Sequence, residues 1–320
     1  MTRPSGGQTL WVVAEDGGSR SGSDGRTAAA PALDLGALAA VSETLFFPLY
    51  ARAVESRHPR TVLPDPEAER LTRALDPHFV ASPKLLHRKL AARKLPAKLP
   101  LSLAMRTRYF DRVTRAFLEA HPGGSVVTLG CGLCTRRARL DNGRALWVDL
   151  DLPAVMALRR NLIAENPRVT SIDRSVLDLA WLDALPAAPG AARLFLAEGL
   201  FMYLPADGVQ SLVQALAGRF PGSELVAEVF ARSWVPRMDF RWLRWKFQKQ
   251  LFLDPSVRFI SGIAEGRELE GWAPGVRLLE EWTYFDDDEP RLGLMRLFGR
   301  IQSYRRLQWA VRLALGPADR

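Results

Sequence analysis

Acidic and glycine positions recur in this chain just where short apolar runs end. Gly130-Cys131-Gly132 follows the run 125–129, Asp149 and Asp151 close the run 145–151, Asp178-Leu179 follows 169–176, and Glu198 follows 193–197. A Gly-x-Gly turn removes two Cβ groups, so the backbone turns sharply and a ligand can approach it closely. Asp149 and Asp151 stand 19 and 21 positions after Gly130, a spacing at which a carboxylate accepts hydrogen bonds from both hydroxyls of a ribose. Asp178 beside Leu179 pairs an acceptor for an exocyclic amine with an apolar surface for a ring, which suits an adenine. Each position also has a plainer reading: a turn without a ligand, a cap on the helix opened by Pro153, a solvated loop aspartate.

The third glycine of a dinucleotide fingerprint is replaced by Thr135, and no pyrophosphate cradle is apparent. A ribose carboxylate without a phosphate loop points to a nucleoside lacking phosphates, such as S-adenosylmethionine.

These positions need a scaffold that brings strand ends together. Strand-like and helix-like segments alternate from residue 125 to 230, which predicts a parallel, doubly wound sheet with helices on both faces. In such sheets ligands bind beyond the carboxyl ends of the strands. Residues 31–120 read as helical, with Leu45, Leu49 and Ala53 and then Phe110, Val113 and Phe117 at helical spacing. Residues 1–30 are rich in Gly and Ser and are expected to be a disordered tail. Residues 276–285 read as a strand, and 292–315 as a terminal helical region. The expected organisation is a tail (1–30), a helical cap (31–120) and a Rossmann-like domain (121–320) with a helical lid inserted at about 233–275.

With 48% apolar and 25% charged residues, the 320-residue chain is neither disordered throughout nor fibrous. No apolar run is long enough to span a bilayer. Two cysteines cannot build a disulfide framework, and no leader is visible, so a cytoplasmic location with no membrane partner is expected. Cys131 and Cys134 form a Cys-x-x-Cys pair, but zinc needs about four ligands and there is no second pair. No metal is expected.

The pieces Val41-Ser42-Glu43-Thr44-Leu45, Arg106-Thr107-Arg108-Tyr109-Phe110-Asp111, Leu129-Gly130-Cys131-Gly132-Leu133, Asp149-Leu150-Asp151-Leu152-Pro153, Val176-Leu177-Asp178-Leu179 and Ala197-Glu198-Gly199-Leu200 resemble, in order and spacing, those of the leucine carboxyl methyltransferase-like family, and most of all its bacterial polyketide-type O-methyltransferases. The resemblance covers roughly residues 35–315. It implies a class I methyltransferase sheet of about seven strands. It also implies that Arg106 binds the carboxylate of S-adenosylmethionine, that Gly130 and Gly132 pass beneath its methionine moiety, that Asp151, with or without Asp149, holds the ribose, that Asp178 and Leu179 hold the adenine, and that Glu198 meets the amino group. Two positions depart from the pattern: Cys134 stands where the family usually has Asp, and Thr128 where methyltransferases often have an acid.

The expected activity is methyl transfer to a carboxylate or phenol oxygen of a small aromatic or polyketide-type molecule, with Tyr203 facing that acceptor. A carboxylate is already ionised at neutral pH and needs no base, whereas a phenol benefits from one. No base constellation is visible, and no catalytic residue is assigned. The basic stretches 84–98 and 237–249, the latter interleaved with Phe240, Trp242, Trp245 and Phe247, would suit a lid over a flat acidic ring or a solvated cap helix. The net charge of +9 keeps a nucleic-acid methyltransferase as an alternative, alongside a protein carboxyl methyltransferase and a silent binding protein. A nucleic-acid partner is not expected, and the sequence fixes no oligomeric state.

Overall fold

Strand β1 (Ser125–Leu129) is buried along its whole length, as a central parallel strand must be. It pairs in parallel with β2 (Leu146–Asp151) on one side and β4 (Arg193–Ala197) on the other. β3 (Val169–Asp173) extends the sheet beyond β2, and β5 (Ser223–Phe230) beyond β4. Two further strands, β6 (Arg277–Trp282) and β7 (Gln308–Leu315), complete the order β3-β2-β1-β4-β5-β7-β6. β7 runs antiparallel to both β5 and β6. The sheet is therefore mixed rather than wholly parallel. The computed structural model describes residues 35, 38–39, 42–186, 192–238, 240, 254 and 256–316. The expected tail (1–30) and most of the basic-aromatic stretch 237–249 lie outside these residues.

The terminal helical reading of 292–315 is corrected by β7. Two single-turn helices, Met295–Phe298 and Gln302–Arg305, precede a strand of eight residues. Its Ala, Leu and Arg content favours a helix, but pairing with strands on both sides overrides that local preference.

Adjacent residues of each central strand enter different apolar clusters. Val127, Phe195 and Leu225 pack with α7 (Ala206–Arg219), whereas Val126, Leu194 and Val226 pack against α4 (Leu99–Ala120). A third cluster joins α1 (Phe46–Ser56), α2 (Pro66–Val80), α3 (Leu85–Ala91) and α6 (Pro153–Leu162), the helix that follows the short α5 (Arg136–Leu140). Thus α1 to α4 lie within the segment expected to be helical. Asp65 begins α2 as its N-cap, accepting from the Ala68 N–H at 3.0 Å with Pro66 at the first helical position. Among the described residues no helix is long and apolar enough to cross a membrane, and no group of acidic, His or Cys side chains could hold a metal ion.

Candidate active site

A cavity of about 550 Å³ opens beyond the carboxyl ends of β1, β2 and β4, where the strand order reverses. Its inner wall is the turn after β1. Gly130 and Gly132 adopt φ of +63° and +46°, conformations that side-chain-bearing residues rarely take. A Cβ on Gly130 would lie 2.9 Å from Leu200 Cδ1, and one on Gly132 3.3 Å from Leu45 Cβ. The turn is closed by Asp151 at the tip of β2, whose two oxygens accept from the N–H groups of Gly132 (2.7 Å) and Leu152 (2.8 Å). Burial pushes the Asp151 carboxyl up from its ordinary range, against those two N–H groups. Asp151 lines the cavity.

Asp149 does not line the cavity. Its Oδ2 is held by Arg159, with Nη2 at 2.7 Å and Nε at 3.2 Å. Arg159 in turn donates to the carbonyls of Gly132 and Cys134, both at 3.0 Å. Asp149 thus braces the glycine turn from behind through Arg159. Asp178 and Leu179 are not in the wall either; Arg174, Ser175 and Val176 are. The exposed Asp178 carboxylate pairs with Arg174 and caps the turn Leu179–Ala184 through the Ala180 N–H. The Arg174 hydrogen bond holds it below the usual carboxylate range.

At the other end, α4 carries Arg106 to the tips of β4 and β5. Its Nε meets Glu198 Oε1 at 2.9 Å and its Nη1 meets Glu228 Oε2 at 2.8 Å. Glu198 also accepts from Thr107 Oγ1 (2.8 Å) and Arg136 Nη2 (2.6 Å). Burial alone would neutralise Glu198, but the Arg106 and Arg136 charges outweigh it and hold its carboxyl well below the usual range. Glu228 goes the other way: burial raises it despite Arg106. It is further held by Tyr284 Oη (3.2 Å) and Gln308 Nε2 (2.6 Å), which tie the β6–β7 end of the sheet to Arg106 through Glu228.

The charge set is larger than the Arg106–Glu198 pair expected from the sequence. Arg136 bonds Asp111 (2.8 Å), Arg139 bonds Asp111 and Asp65 (both 2.7 Å), and Arg52 bonds Asp65 (3.0 Å). Arg52 and Arg136 line the cavity with Arg106. Guanidinium and carboxylate alternate from Glu228 to Arg52 and join the cap helices to the strand tips. Cys134, also in the wall, places its Sγ 3.5 Å from Arg136 Nη1.

The cavity wall also carries aromatic side chains, Tyr203, Phe230, Phe259 and Trp234 among them. Phe259 stands edge-on to Tyr203 (centroids 5.2 Å apart) and to Phe230 (4.8 Å). Burial raises the Tyr203 phenol to about 12, although a hydrogen bond from Thr44 works against it. No histidine is among the lining residues described.

A family model described as leucine carboxyl methyltransferase matches residues 46–217. The chain belongs to that family. Over 251 residues it is 34% identical to the tetracenomycin polyketide synthesis O-methyltransferase TcmP of Streptomyces glaucescens, covering 78% of this chain and 85% of the relative. It is 30% identical over 266 residues to an S-adenosyl-L-methionine-dependent methyltransferase of Gibberella zeae, covering 80% and 86%. A solved DUF574 family protein of Streptomyces avermitilis superposes with a TM-score of 0.49 at 13% identity, over 75% of this chain and 95% of that one. As a leucine carboxyl methyltransferase family member, the chain is an S-adenosylmethionine-dependent methyltransferase.

The residues present fit that cofactor. The glycine turn leaves space that a Cβ would close, the Asp151 carboxylate lies in the cavity wall at the tip of β2, and a guanidinium and a carboxylate stand together, complementary to a zwitterionic tail. Sequence reasoning missed Glu228 and the roles of Arg136 and Arg52. For Glu228 a signal was there: a single charge inside the apolar run Leu225-Val226-Ala227-Glu228-Val229-Phe230.

Proposed function

We propose that the protein methylates an oxygen, carboxylate or phenol, of a small aromatic or polyketide-type molecule. The observation that carries this reading is that one cavity is lined both by the glycine turn, Asp151, Arg106 and Glu198 and by the aromatic side chains of Tyr203, Phe230 and Phe259. S-adenosylmethionine supplies, when bound, a methyl group on a positively charged sulfur.

On this reading, Asp151 accepts from the ribose hydroxyls, while Arg106 and Glu198 take the carboxylate and amino group of the methionine moiety. The glycine turn passes beneath that moiety. Arg174, Ser175 and Val176, rather than Asp178 and Leu179, form the protein surface nearest the base. The aromatic side chains of the cavity exclude water and set the acceptor oxygen in line, so catalysis rests on alignment.

Tyr203 is protonated at neutral pH and serves as a hydrogen-bond donor and wall, not as a base. Glu198 is ionised but committed to Arg106, Arg136 and Thr107. With no free base among the described lining residues, the site favours an acceptor that arrives ionised, which a carboxylate does. Incubation with methyl-labelled S-adenosylmethionine and matched aromatic acids and phenols, followed by mass spectrometry, tests this. Label on oxygen supports the reading; label on carbon or nitrogen refutes it.

A further inference from the structure

Glu228 is buried in β5 and is not among the residues that line the cavity, whereas Arg106 is. Its Oε2 accepts from Arg106 Nη1 at 2.8 Å, and its Oε1 accepts from Gln308 Nε2 at 2.6 Å and from Tyr284 Oη at 3.2 Å. Two carboxylates therefore hold one guanidinium, Glu198 on Nε and Glu228 on Nη1. The two are not equivalent. Glu198 has a second guanidinium, Arg136, and the Thr107 hydroxyl. Glu228 has no second cation among the described residues. Its other neighbours are the neutral Gln308 amide and the Tyr284 and Tyr203 phenols, both kept protonated by burial. Where carboxylates crowd one site, the one with the weaker cationic support is the first to accept a proton.

Resting on the methyltransferase reading above, we infer that Glu228 is a positioning residue for the cofactor's tail: it holds the Arg106 guanidinium until the tail carboxylate docks there, and then takes up one proton. Docking puts a third negative group around a single guanidinium. The ammonium of the tail answers Glu198, but nothing in the tail answers Glu228. The proton comes from solvent on binding and returns to it on release; only the Glu228 O–H bond forms and breaks. The tail thus competes with a carboxylate for Arg106, which keeps the nucleoside exchangeable between turnovers. Burial already favours the protonated form of Glu228 against Arg106, and the incoming charge acts in the same direction.

The test titrates S-adenosylhomocysteine into the wild type and into Glu228→Gln by calorimetry, at about pH 6.5 and about pH 8, in paired buffers of different ionisation heat. The wild type is expected to take up a proton on binding and to bind at least about threefold tighter at the lower pH. Glu228→Gln is expected to lose that uptake and to bind at the higher pH at least as tightly as the wild type. Asp151 and the ammonium of the ligand titrate alike in both proteins, so the difference between them belongs to Glu228. A second arm needs no variant: the decarboxylated nucleoside, which lacks only the tail carboxylate, should bind the wild type without that uptake. Equal proton uptake by the variant, or with the decarboxylated nucleoside, overturns the proposal. A wild type that binds S-adenosylhomocysteine with no proton uptake overturns it too and leaves the methyltransferase reading standing. A wild type that binds neither nucleoside counts against that reading itself, and the role of Glu228 falls with it.

Discussion

Arg106 Nε and Glu198 Oε1 meet at 2.9 Å across 92 residues of chain, one from the middle of α4 and the other just past β4. Arg106 is buried and Glu198 largely so, and each has a second ionic partner, Glu228 for Arg106 and Arg136 for Glu198. Removing one member of such a set leaves an uncompensated charge indoors. Glu198→Gln is expected to raise the dissociation constant for S-adenosylhomocysteine at least about tenfold and to lower stability by about 3 kcal/mol. Calorimetry and urea denaturation measure the two losses separately. Unchanged affinity would remove Glu198 from the cofactor site.

From the sequence Asp151 is expected at the ribose and Asp178 at the adenine, and the structure places the two differently. Asp151 closes the glycine turn inside the cavity, while Asp178 is exposed and paired with Arg174 outside it. Asp151→Ala is expected to abolish measurable nucleoside binding, whereas Asp178→Ala should weaken it by less than about threefold, the scale of an exposed pair. A larger effect at Asp178 would show that its carboxylate reaches the base when the nucleoside is bound.

At Gly130, alanine would place a Cβ 2.9 Å from Leu200 Cδ1 and force a side-chain-bearing residue to φ +63°. The expected cost is about 1–3 kcal/mol, read as a lower urea midpoint, together with weaker nucleoside binding. Gly143, also at positive φ but with nothing near its missing Cβ, is the control. Alanine there should lower stability and leave binding intact.

The pH dependence should carry the mark of Asp65. Its carboxylate is buried and held below its ordinary value: burial opposes ionisation, but Arg52 and Arg139 outweigh it. A carboxylate whose native pKa is depressed contributes its full stabilisation above the unfolded-state value, near 4. It loses that stabilisation as the pH falls through the native value. Asp65→Asn is therefore expected to be less stable than the wild type at pH 7 by about 3 kcal/mol, with the two urea midpoints converging as the pH falls below that depressed native value. Asp151 and Glu228, raised by burial, run with the opposite sign: each favours the fold when protonated and loses that contribution as the pH rises through its native value. A gap between wild type and variant that stays constant with pH would mean that Asp65 acts only as a cap.

Much of the scaffold was legible because it obeys local rules. β1, β4 and β5 are short apolar runs bounded by turns, and Pro153 opens α6 as its fixed φ allows. β7 was not legible, because its residues are individually good helix formers and only the neighbouring strands make them extended. Within the site, Asp151 and Glu198 could be placed from spacing, since a strand tip fixes where its next residue goes. Asp149 could not be separated from Asp151 that way: its commitment to Arg159 depends on a helix ten residues on. Arg136 and Arg139 went unassigned because nothing local reveals that Asp111 and Asp65, from distant segments, pair with them.

The placement of β7 between β5 and β6 also bears on how the molecule is made. While the chain leaves the ribosome, β5 keeps an open edge until residues 308–315 emerge to cover it. During that interval Glu228 lacks the amide of Gln308, and the slot beside β5 can be entered by any extended segment, including one from a neighbouring nascent chain.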